Sequence, residues 1–320
     1  FTNPVVFTVA SAQGGSRDYT VKITNTGLPV VVVNQSTSGD FSKVSKDFWQ
    51  GLAGNYRNKF VDFWIRGKET DWVEDDQITI YNPDGTVDCS VAGGVRLRGN
   101  TTQDYPKKAF AVKFNDKKSV LGMPAHKRWV LLANWLDHSM IRNTVAFDIA
   151  QAVEYAWRQS NGAIGDGIPW SVHGQNVELV LISDEGKARH VGNYLLCEQI
   201  KIDGDRLNIN DSYEDVVKKN GSATFDQCGY LLEVDNSYDE DYKFKTTYYS
   251  LPVNVKDPDL SEYIASRELK IKNQMNAFCE AVAKGEEVTD MLDMDAFARF
   301  MLANDLSLNQ EIGHPKSTFL

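Results

Sequence analysis

A lysine at an inward position of a predicted strand is the first residue here that could do chemistry. The segment RLRGNTTQDYPKKAFAVKF, residues 96–114, contains two strand-like stretches joined by a polar turn. Side chains along a strand alternate between its faces, so Lys108 shares the apolar face of Phe110, while Lys107 and Lys113 fall on the opposite, wet face. An unpaired ammonium group on an apolar face costs several kcal/mol. Lys108 therefore predicts either a structural ion pair or a contact with a phosphate.

Two glutamates occupy comparable inward positions and could balance the lysine charge. Glu198 lies in GNYLLCEQI and Glu233 lies in GYLLEVDN, both within apolar strand-like sequence. An inward Lys–Glu pair can be a structural salt bridge, and Lys108 can also extend its amine to the rim of the sheet. Paired strand carboxylates also suit glycoside hydrolysis, although that reaction leaves Lys108 unexplained. The pattern alone leaves these alternatives open.

The turn before Lys108 could bind an anion. Gly99 and Asn100 tolerate positive φ, and backbone N–H groups in such a turn can surround a phosphate. The same residues also suit a plain hairpin turn.

Composition and charge limit the classes of function. The chain has 320 residues, a formal net charge of -10 and a pI near 5.1, which argues against nucleic acid as the main partner. The cysteines and histidines lack metal-ligand spacing, so a zinc site is not expected, and isolated cysteines are typical of free core thiols. No apolar run is long enough to span a membrane. The sequence begins within a strand-like stretch at Phe1 and ends within an apolar run at Leu320. These ends predict an N-terminus trimmed from a longer chain and a C-terminus cut inside the fold.

Strand signals dominate the first two thirds of the chain and helical signals dominate the rest. Residues 1–27 predict a β-hairpin, the tail of a preceding β-sandwich module. Residues 28–235 predict a β-rich lobe that contains one helix over 139–155, with Asp137 at the position of a cap. Residues 236–320 predict a helical lobe. This is an α+β organisation with two lobes, and ligand sites favour the junction between lobes.

Several segments in order resemble the CotH kinase family, which is named after a spore coat protein. The resemblance covers about residues 90–320 and rests on these segments: VRLRGNTTQDYPKKAFAVKF, LGMPAHKRWVLLANWLDHSMIRNTVAFDIA, GNYLLCEQIKI, GYLLEVDN, VKDPD and NDLSLNQEIGHPKSTFL. It implies an atypical protein-kinase-like fold with a β-rich N-terminal lobe and a helical C-terminal lobe. It also implies ATP, with Mg²⁺ or Mn²⁺, bound between the lobes.

The resemblance implies roles for particular residues. Lys108 would contact the phosphates, with Glu198 as its carboxylate partner. The turn Arg98-Gly99-Asn100 would cover the phosphates, and Glu233 would help to bind the nucleotide. Phosphoryl transfer depends mainly on positioning and charge neutralisation, so such a set of residues suits it.

The C-terminal segment would supply the catalytic base. Asp305 matches that position best, with Asn309 as a metal ligand or alternative and Glu311 as a second alternative. The remaining metal-binding segment of the family would fall after Leu320.

The sequence thus supports three classes of function. The first is ATP-dependent phosphotransfer to Ser or Thr of a secreted or surface protein outside the cytoplasm, or another nucleotide-dependent modification of proteins. The second is a catalytically inactive surface adhesin or binding module on the same fold. The third is glycoside hydrolysis by Glu198 and Glu233.

Overall fold

The structure is a computed structural model. It describes residues 5–10, 12–21, 26–35, 72–99, 101–161, 170–182, 188–209, 221, 229–236, 240, 242–257, 265–313 and 316–320. Two strands at the start, β1 (Val5–Ala10) and β2 (Ser16–Val21), pair as an antiparallel hairpin. Gly14, in the turn between them, has a φ of 89°, a left-handed conformation that favours glycine.

A closed seven-stranded barrel is the largest unit of the described chain. Its strands are β3 (Val30–Asn34), β4 (Val73–Tyr81), β5 (Val87–Leu97), β6 (Phe110–Val120), β7 (Met123–Leu132), β8 (Gly174–Ile182) and β9 (Ala188–Glu198). Their order around the barrel is β3-β4-β5-β6-β7-β9-β8, and parallel pairing of β3 with β8 closes it. All other pairs are antiparallel, and the β4–β5 turn at Asn82–Gly85 is a tight turn, as the sequence NPDG predicts.

Alternating apolar side chains fill the barrel. In β6, Phe110, Val112 and Phe114 are buried, and in β7 Trp129 and Leu131 are fully buried. Every strand thus sends alternate residues inward, as the period of two requires. The barrel fixes which side of each strand faces the interior and which faces outward.

A second, four-stranded sheet follows the barrel. Its strands are β10 (Leu231–Val234), β11 (Lys243–Lys245), β12 (Pro252–Asp257) and β13 (Thr318–Phe319), in the order β11-β12-β10-β13. Ile271, on helix α2 (Ala265–Lys284), is buried in the same apolar cluster as Phe244, Val253 and Val255. The helix therefore covers one face of this sheet.

Two other helices pack against each other. Helix α1 (Arg142–Asn161) places Phe147 against an apolar cluster on the outer surface of the barrel, and helix α3 (Met294–Leu306) packs on α1. The contact between the helices includes an ion pair of 2.7 Å between Arg299 Nε and Glu154 Oε1, and the Arg299 guanidinium lies 4.1 Å from the Trp157 ring centre. Two 3₁₀ turns, Thr101–Asp104 and Gln310–Gly313, complete the described elements.

The predicted two-lobed, protein-kinase-like fold with a helical C-terminal lobe is wrong. The described residues are mostly β, with 41% strand, three α-helices and the closed barrel. Residues 236–320 contribute three strands to the second sheet, and α2 packs on that sheet. These residues therefore do not form the predicted helical lobe. The chain also closes its larger sheet into a barrel, which removes the open edges. The domain boundaries at 27/28 and 235/236 stay predictions.

Other predictions from the sequence have definite outcomes. Asp137 does sit at the start of α1, where its carboxylate accepts hydrogen bonds from the backbone N–H of Ser139 at 3.0 Å and of Arg142 at 2.8 Å. Cys89, Cys197 and Cys279 are free thiols, whereas Cys228 lies outside the described residues. In the part of the chain that the structure describes, no helix has both the length and the apolar character of a membrane span.

Candidate functional site

Lys108 lies two residues before β6 and is buried, as the sequence predicts. Its side chain is 8% exposed, and its Nζ donates a hydrogen bond of 2.5 Å to the backbone oxygen of Gln103. The backbone oxygen of Lys108 accepts a hydrogen bond of 2.9 Å from the Tyr194 hydroxyl, inside the barrel. The lysine therefore joins the barrel to the turn that precedes it.

That turn is shaped by Gly99 and Gln103. Gly99 has a φ of 92°, and a Cβ atom there would lie 1.8 Å from Thr102 Oγ1, so only glycine fits. The Gln103 amide donates a hydrogen bond of 2.5 Å to the Gly99 oxygen. Gln103 thus links Gly99 and Lys108, through its side chain and its backbone oxygen respectively. Asn100 lies outside the described residues.

Glu198 is buried at the end of β9 and is bound by other groups. Its Oε2 accepts hydrogen bonds from Trp170 Nε1 at 3.1 Å, from the His173 backbone N–H at 3.0 Å, and contacts His173 Nδ1 at 2.9 Å. Its Oε1 lies 3.7 Å from Arg206 Nε. Lys108 is not among the described residues that contact the Glu198 carboxylate. The predicted ion pair between Lys108 and Glu198 is therefore not formed.

Arg206 provides the cation that Glu198 needs. The Arg206 side chain is almost fully buried, donates hydrogen bonds to the backbone oxygens of Arg128 and Gln199, and lies 5.0 Å from the Trp129 ring centre. Burial lowers the pKa of the Arg206 guanidinium, while the negative charge of Glu198 opposes that effect. A buried ion pair of this kind fixes geometry more than it adds stability.

Arg98 and Glu233 lie within electrostatic range of each other. Burial lowers the pKa of the Arg98 guanidinium, and the Glu233 carboxylate is among the groups that raise it. Glu233 is buried in β10, and its Oε2 lies 3.2 Å from Lys256 Nζ on β12. Lys256 also binds Glu240. Arg98 follows barrel strand β5, whereas Glu233 and Lys256 belong to the second sheet.

The pKa of Lys256 reflects this surrounding charge. Burial acts to lower the pKa of this amine, but the hydrogen bond to Glu240 and the charge of Glu233 act the other way and raise it overall. Lys256 therefore stays a cation beside Glu233.

Lys107 is not on a wet face, contrary to the strand pattern. Its side chain is half-buried, its Nζ lies 4.5 Å from the Tyr194 ring centre and it donates to the Asn193 backbone oxygen. Burial lowers the pKa of the Lys107 amine to about 8. The strand begins only at Phe110, so strict alternation does not extend back to this residue.

The predicted base and metal ligand lie at the C-terminal end of α3. Asp305, Asn309 and Glu311 are exposed. Asn309 Nδ2 donates to Asn304 Oδ1 at 2.7 Å, and Asn309 Oδ1 accepts from the Glu311 backbone N–H at 3.1 Å. The described residues contain no group of three or more His, Cys, Asp or Glu side chains that could hold a metal ion.

Four residues around these sites were not found from the sequence. Gln103 lies inside the quoted turn, and Arg206 lies at the end of IDGDR, where Asp203 accepts its backbone N–H at 3.0 Å, so both had a local signal. Trp170 and His173 reach Glu198 across at least 25 residues of sequence, and no local pattern marks that contact.

Comparison with known proteins identifies the family. The family model described as CotH kinase protein matches residues 95–320, which is more than half of the chain. No curated protein matches the chain. The chain therefore belongs to the CotH kinase protein family, as the resemblance of its segments predicts, and this membership indicates a kinase-like function.

Proposed function

We propose that this CotH kinase family member transfers the γ-phosphoryl group of ATP to Ser or Thr hydroxyls of secreted or surface proteins, outside the cytoplasm. The observation that carries the proposal is the buried Lys108, whose amine binds the turn that begins at Arg98 and Gly99. A lysine and an arginine at one end of the barrel offer two cations for the charged phosphates of ATP.

The arrangement suits a reaction that needs charge neutralisation more than covalent catalysis. The acceptor hydroxyl oxygen forms a bond to the γ-phosphorus, and the bond from that phosphorus to the oxygen of the departing ADP breaks. The hydroxyl proton passes to a base, a role we assign to Asp305. Lys108 and Arg98 hold phosphate oxygens, while the backbone of the Gly99–Asn100 turn covers them.

The acidic residues have supporting roles in this proposal. Glu233 orients Arg98 and Lys256 through its charge, and Glu198 keeps Arg206 and His173 in place at the end of β9. Mg²⁺ or Mn²⁺ would enter with the ATP phosphates and neutralise their charge, with Asn309 as the protein ligand. Mg²⁺ commonly binds through one or two protein groups plus substrate phosphates, so a full cluster of protein ligands is not required.

The test compares phosphate transfer by variants at two lysines of the same chain segment. Lys108→Met removes the proposed phosphate contact, whereas Lys118→Met removes an exposed lysine later in β6. Transfer of labelled phosphate from Mg-ATP to unstructured Ser- and Thr-rich peptides should fall about 100-fold in Lys108→Met and stay unchanged in Lys118→Met. Equal transfer by both variants would remove Lys108 from the mechanism.

Two further measurements control for misfolding of the variants and for transfer of a group other than phosphate. Lys108→Arg keeps the positive charge but changes its shape and reach, so it should fold normally and still transfer phosphate slowly. Intact mass of the product peptides should show a phosphoryl group rather than a nucleotide. A nucleotide adduct, or the absence of any Mg-ATP-dependent rise in melting temperature, would contradict the proposed function.

A further inference from the structure

In the described part of the chain, the groups that contact the Lys107 amine are neutral. The amine donates hydrogen bonds to the backbone oxygen of Asn193 and to Met140 Sδ, the latter at 3.6 Å. Its Nζ also lies 4.5 Å from the Tyr194 ring centre, within the range of a cation–π contact. A carbonyl, a thioether and an aromatic ring are thus the immediate surroundings of this amine.

Separate parts of the fold build these surroundings. Asn193 and Tyr194 belong to barrel strand β9, and Met140 lies between β7 and α1 with a φ of 61°. The side-chain amide of Asn176, on β8, donates to the Met140 backbone oxygen at 3.0 Å and to Asn193 Oδ1 at 2.9 Å. Asn176 therefore links the two residues that accept hydrogen bonds from Lys107. The position of the amine is set by the tertiary structure.

Burial dominates the electrostatics of this amine. It lowers the pKa of Lys107 to about 8, while the charge of Glu178 acts in the opposite direction. Glu178 Oε2 contacts His190 Nε2 at 2.6 Å, and the Tyr194 hydroxyl donates to the Lys108 backbone oxygen. At pH 7 about a tenth of the Lys107 amine is then neutral, against roughly one part in 2,500 for an ordinary lysine.

A small reagent can reach this amine. Lys107 is half-buried rather than enclosed, in contrast to its neighbour Lys108, which is 8% exposed. Gly192 lies beside the stem of Lys107, where an added Cβ atom would be 3.8 Å from Lys107 Cε. Its φ of 115° favours glycine, so no side chain covers the lysine from that position.

We propose that Lys107 is a site of acylation by a small activated acyl donor, an acyl phosphate or an acyl thioester. The neutral nitrogen forms a bond to the acyl carbonyl carbon, and the bond from that carbon to the phosphate oxygen or thioester sulfur breaks. The proton that the nitrogen loses passes to the departing phosphate or thiolate, so the products are an amide and the free leaving group. Removal from water is a common way in which proteins make a lysine nucleophilic.

Acylation would change what this side chain does in the fold. The amide is neutral, so the attraction to the Tyr194 ring is lost and a single N–H remains as donor. Because Lys107 directly precedes Lys108, the modified residue lies next to the proposed phosphate contact. A regulatory effect on phosphate transfer rests on the proposed function, whereas the acylation itself does not.

Competitive labelling of the folded full chain tests the proposal. The protein is treated briefly with acetyl phosphate, and in parallel with an acetyl thioester, and is then unfolded and fully acetylated with a heavy-isotope reagent. Peptide mass spectrometry gives the initial rate at each lysine, and fragment ions separate Lys107 from Lys108. At pH 7 Lys107 should react at least about threefold faster than Lys118, an exposed lysine of β6, and Lys108 should react more slowly than both.

The pH dependence separates activation by the fold from simple exposure. The rate at Lys107 should level off above about pH 8, whereas an ordinary lysine becomes faster up to about pH 10. Glu178→Gln removes the charge that opposes burial, so the levelling should begin at lower pH, while Glu287→Gln, at an exposed position, should leave it unchanged.

Several results would overturn the proposal. These are equal rates at Lys107 and Lys118 at pH 7, rates at the two residues that rise in parallel to about pH 10, or a preference for Lys107 with one donor alone. In concentrated urea the rates at Lys107 and Lys118 should become equal, and a preference that persists there would show that the fold is not its cause. Phosphate transfer is not measured in this experiment, so its outcome is independent of the proposed function.

Discussion

Asp76 should make this protein less stable as the pH rises from acid to neutral. The Asp76 carboxyl is fully buried in β4, on the inward face with Ile78 and Ile80, and the Gln35 side chain is buried as well. Burial raises the pKa of this carboxyl from 3.8 to about 8, with a smaller contribution from the Asp75 charge and an opposing one from Gln35. The perturbation that tests this is Asp76→Asn, which keeps the shape and cannot ionise.

The sign and size of the effect follow from proton linkage. Between pH 4 and pH 8 the unfolded chain loses the Asp76 proton while the folded chain retains it, so raising the pH favours the unfolded state. The free energy of unfolding of the wild-type chain should fall by about 1.4 kcal/mol for each pH unit relative to Asp76→Asn. From pH 5 to pH 7 the difference between the two proteins should grow by roughly 3 kcal/mol, and it should level off above pH 8.

The assay is urea unfolding of wild type and Asp76→Asn at pH 5, 6, 7, 8 and 9, under one ionic strength. Asp116→Asn, at an exposed position of β6, is the control and should follow the wild-type pH dependence throughout. Wild type and Asp76→Asn should be nearly equal in stability at low pH and diverge as the pH rises. If their stabilities stay parallel from pH 5 to pH 8, the Asp76 carboxyl is ionised in the folded barrel and its pKa is not raised.

Two other substitutions test how the site is supported. Gly99→Ala should lower the free energy of unfolding by about 2 kcal/mol or more, because the new Cβ atom meets the Thr102 hydroxyl and the residue has a positive φ. Gly122→Ala is the control: Gly122 has a similar φ but lies in open space, so this change should cost about 1 kcal/mol. Equal losses in urea unfolding would mean that the tight turn at Gly99 is not formed. Arg299→Met should lower the free energy of unfolding by about 3 kcal/mol, because it leaves Glu154 without its ion-pair partner between α1 and α3. The double variant with Glu154→Gln should recover part of that loss in thermal unfolding. If Arg299→Met does not change the stability, the packing of the two helices does not depend on this ion pair.

Local patterns in the sequence predicted the inward residues well. Alternation along β9 identified Glu198 as buried, and turn chemistry identified the β4–β5 turn. Lys108 is also buried as predicted, although it precedes β6, and the same pattern placed Lys107 wrongly on a wet face. The cap of α1 at Asp137 followed from residue type and position. These features depend on residues close in sequence, so the sequence specifies them without knowledge of the fold.

The prediction of the fold class is wrong because the fold depends on pairing between strands that are distant in sequence. The second sheet takes β11, β12 and β13 from a segment whose strongest local signal is a pair of helices. The barrel closes through a parallel pair, β3 with β8, separated by more than 100 residues. Periodicity says which side chains of a strand point inward, but it does not say which strand lies beside it.

The sequence by itself thus determined the family and the burial of Lys108 and Glu198. Only the tertiary structure decided that Glu198 binds Arg206, Trp170 and His173 rather than the lysine amine. The physical reason is that the partner of a buried charge is set by the positions of groups on separate strands and loops, and those positions exist only once the barrel has closed.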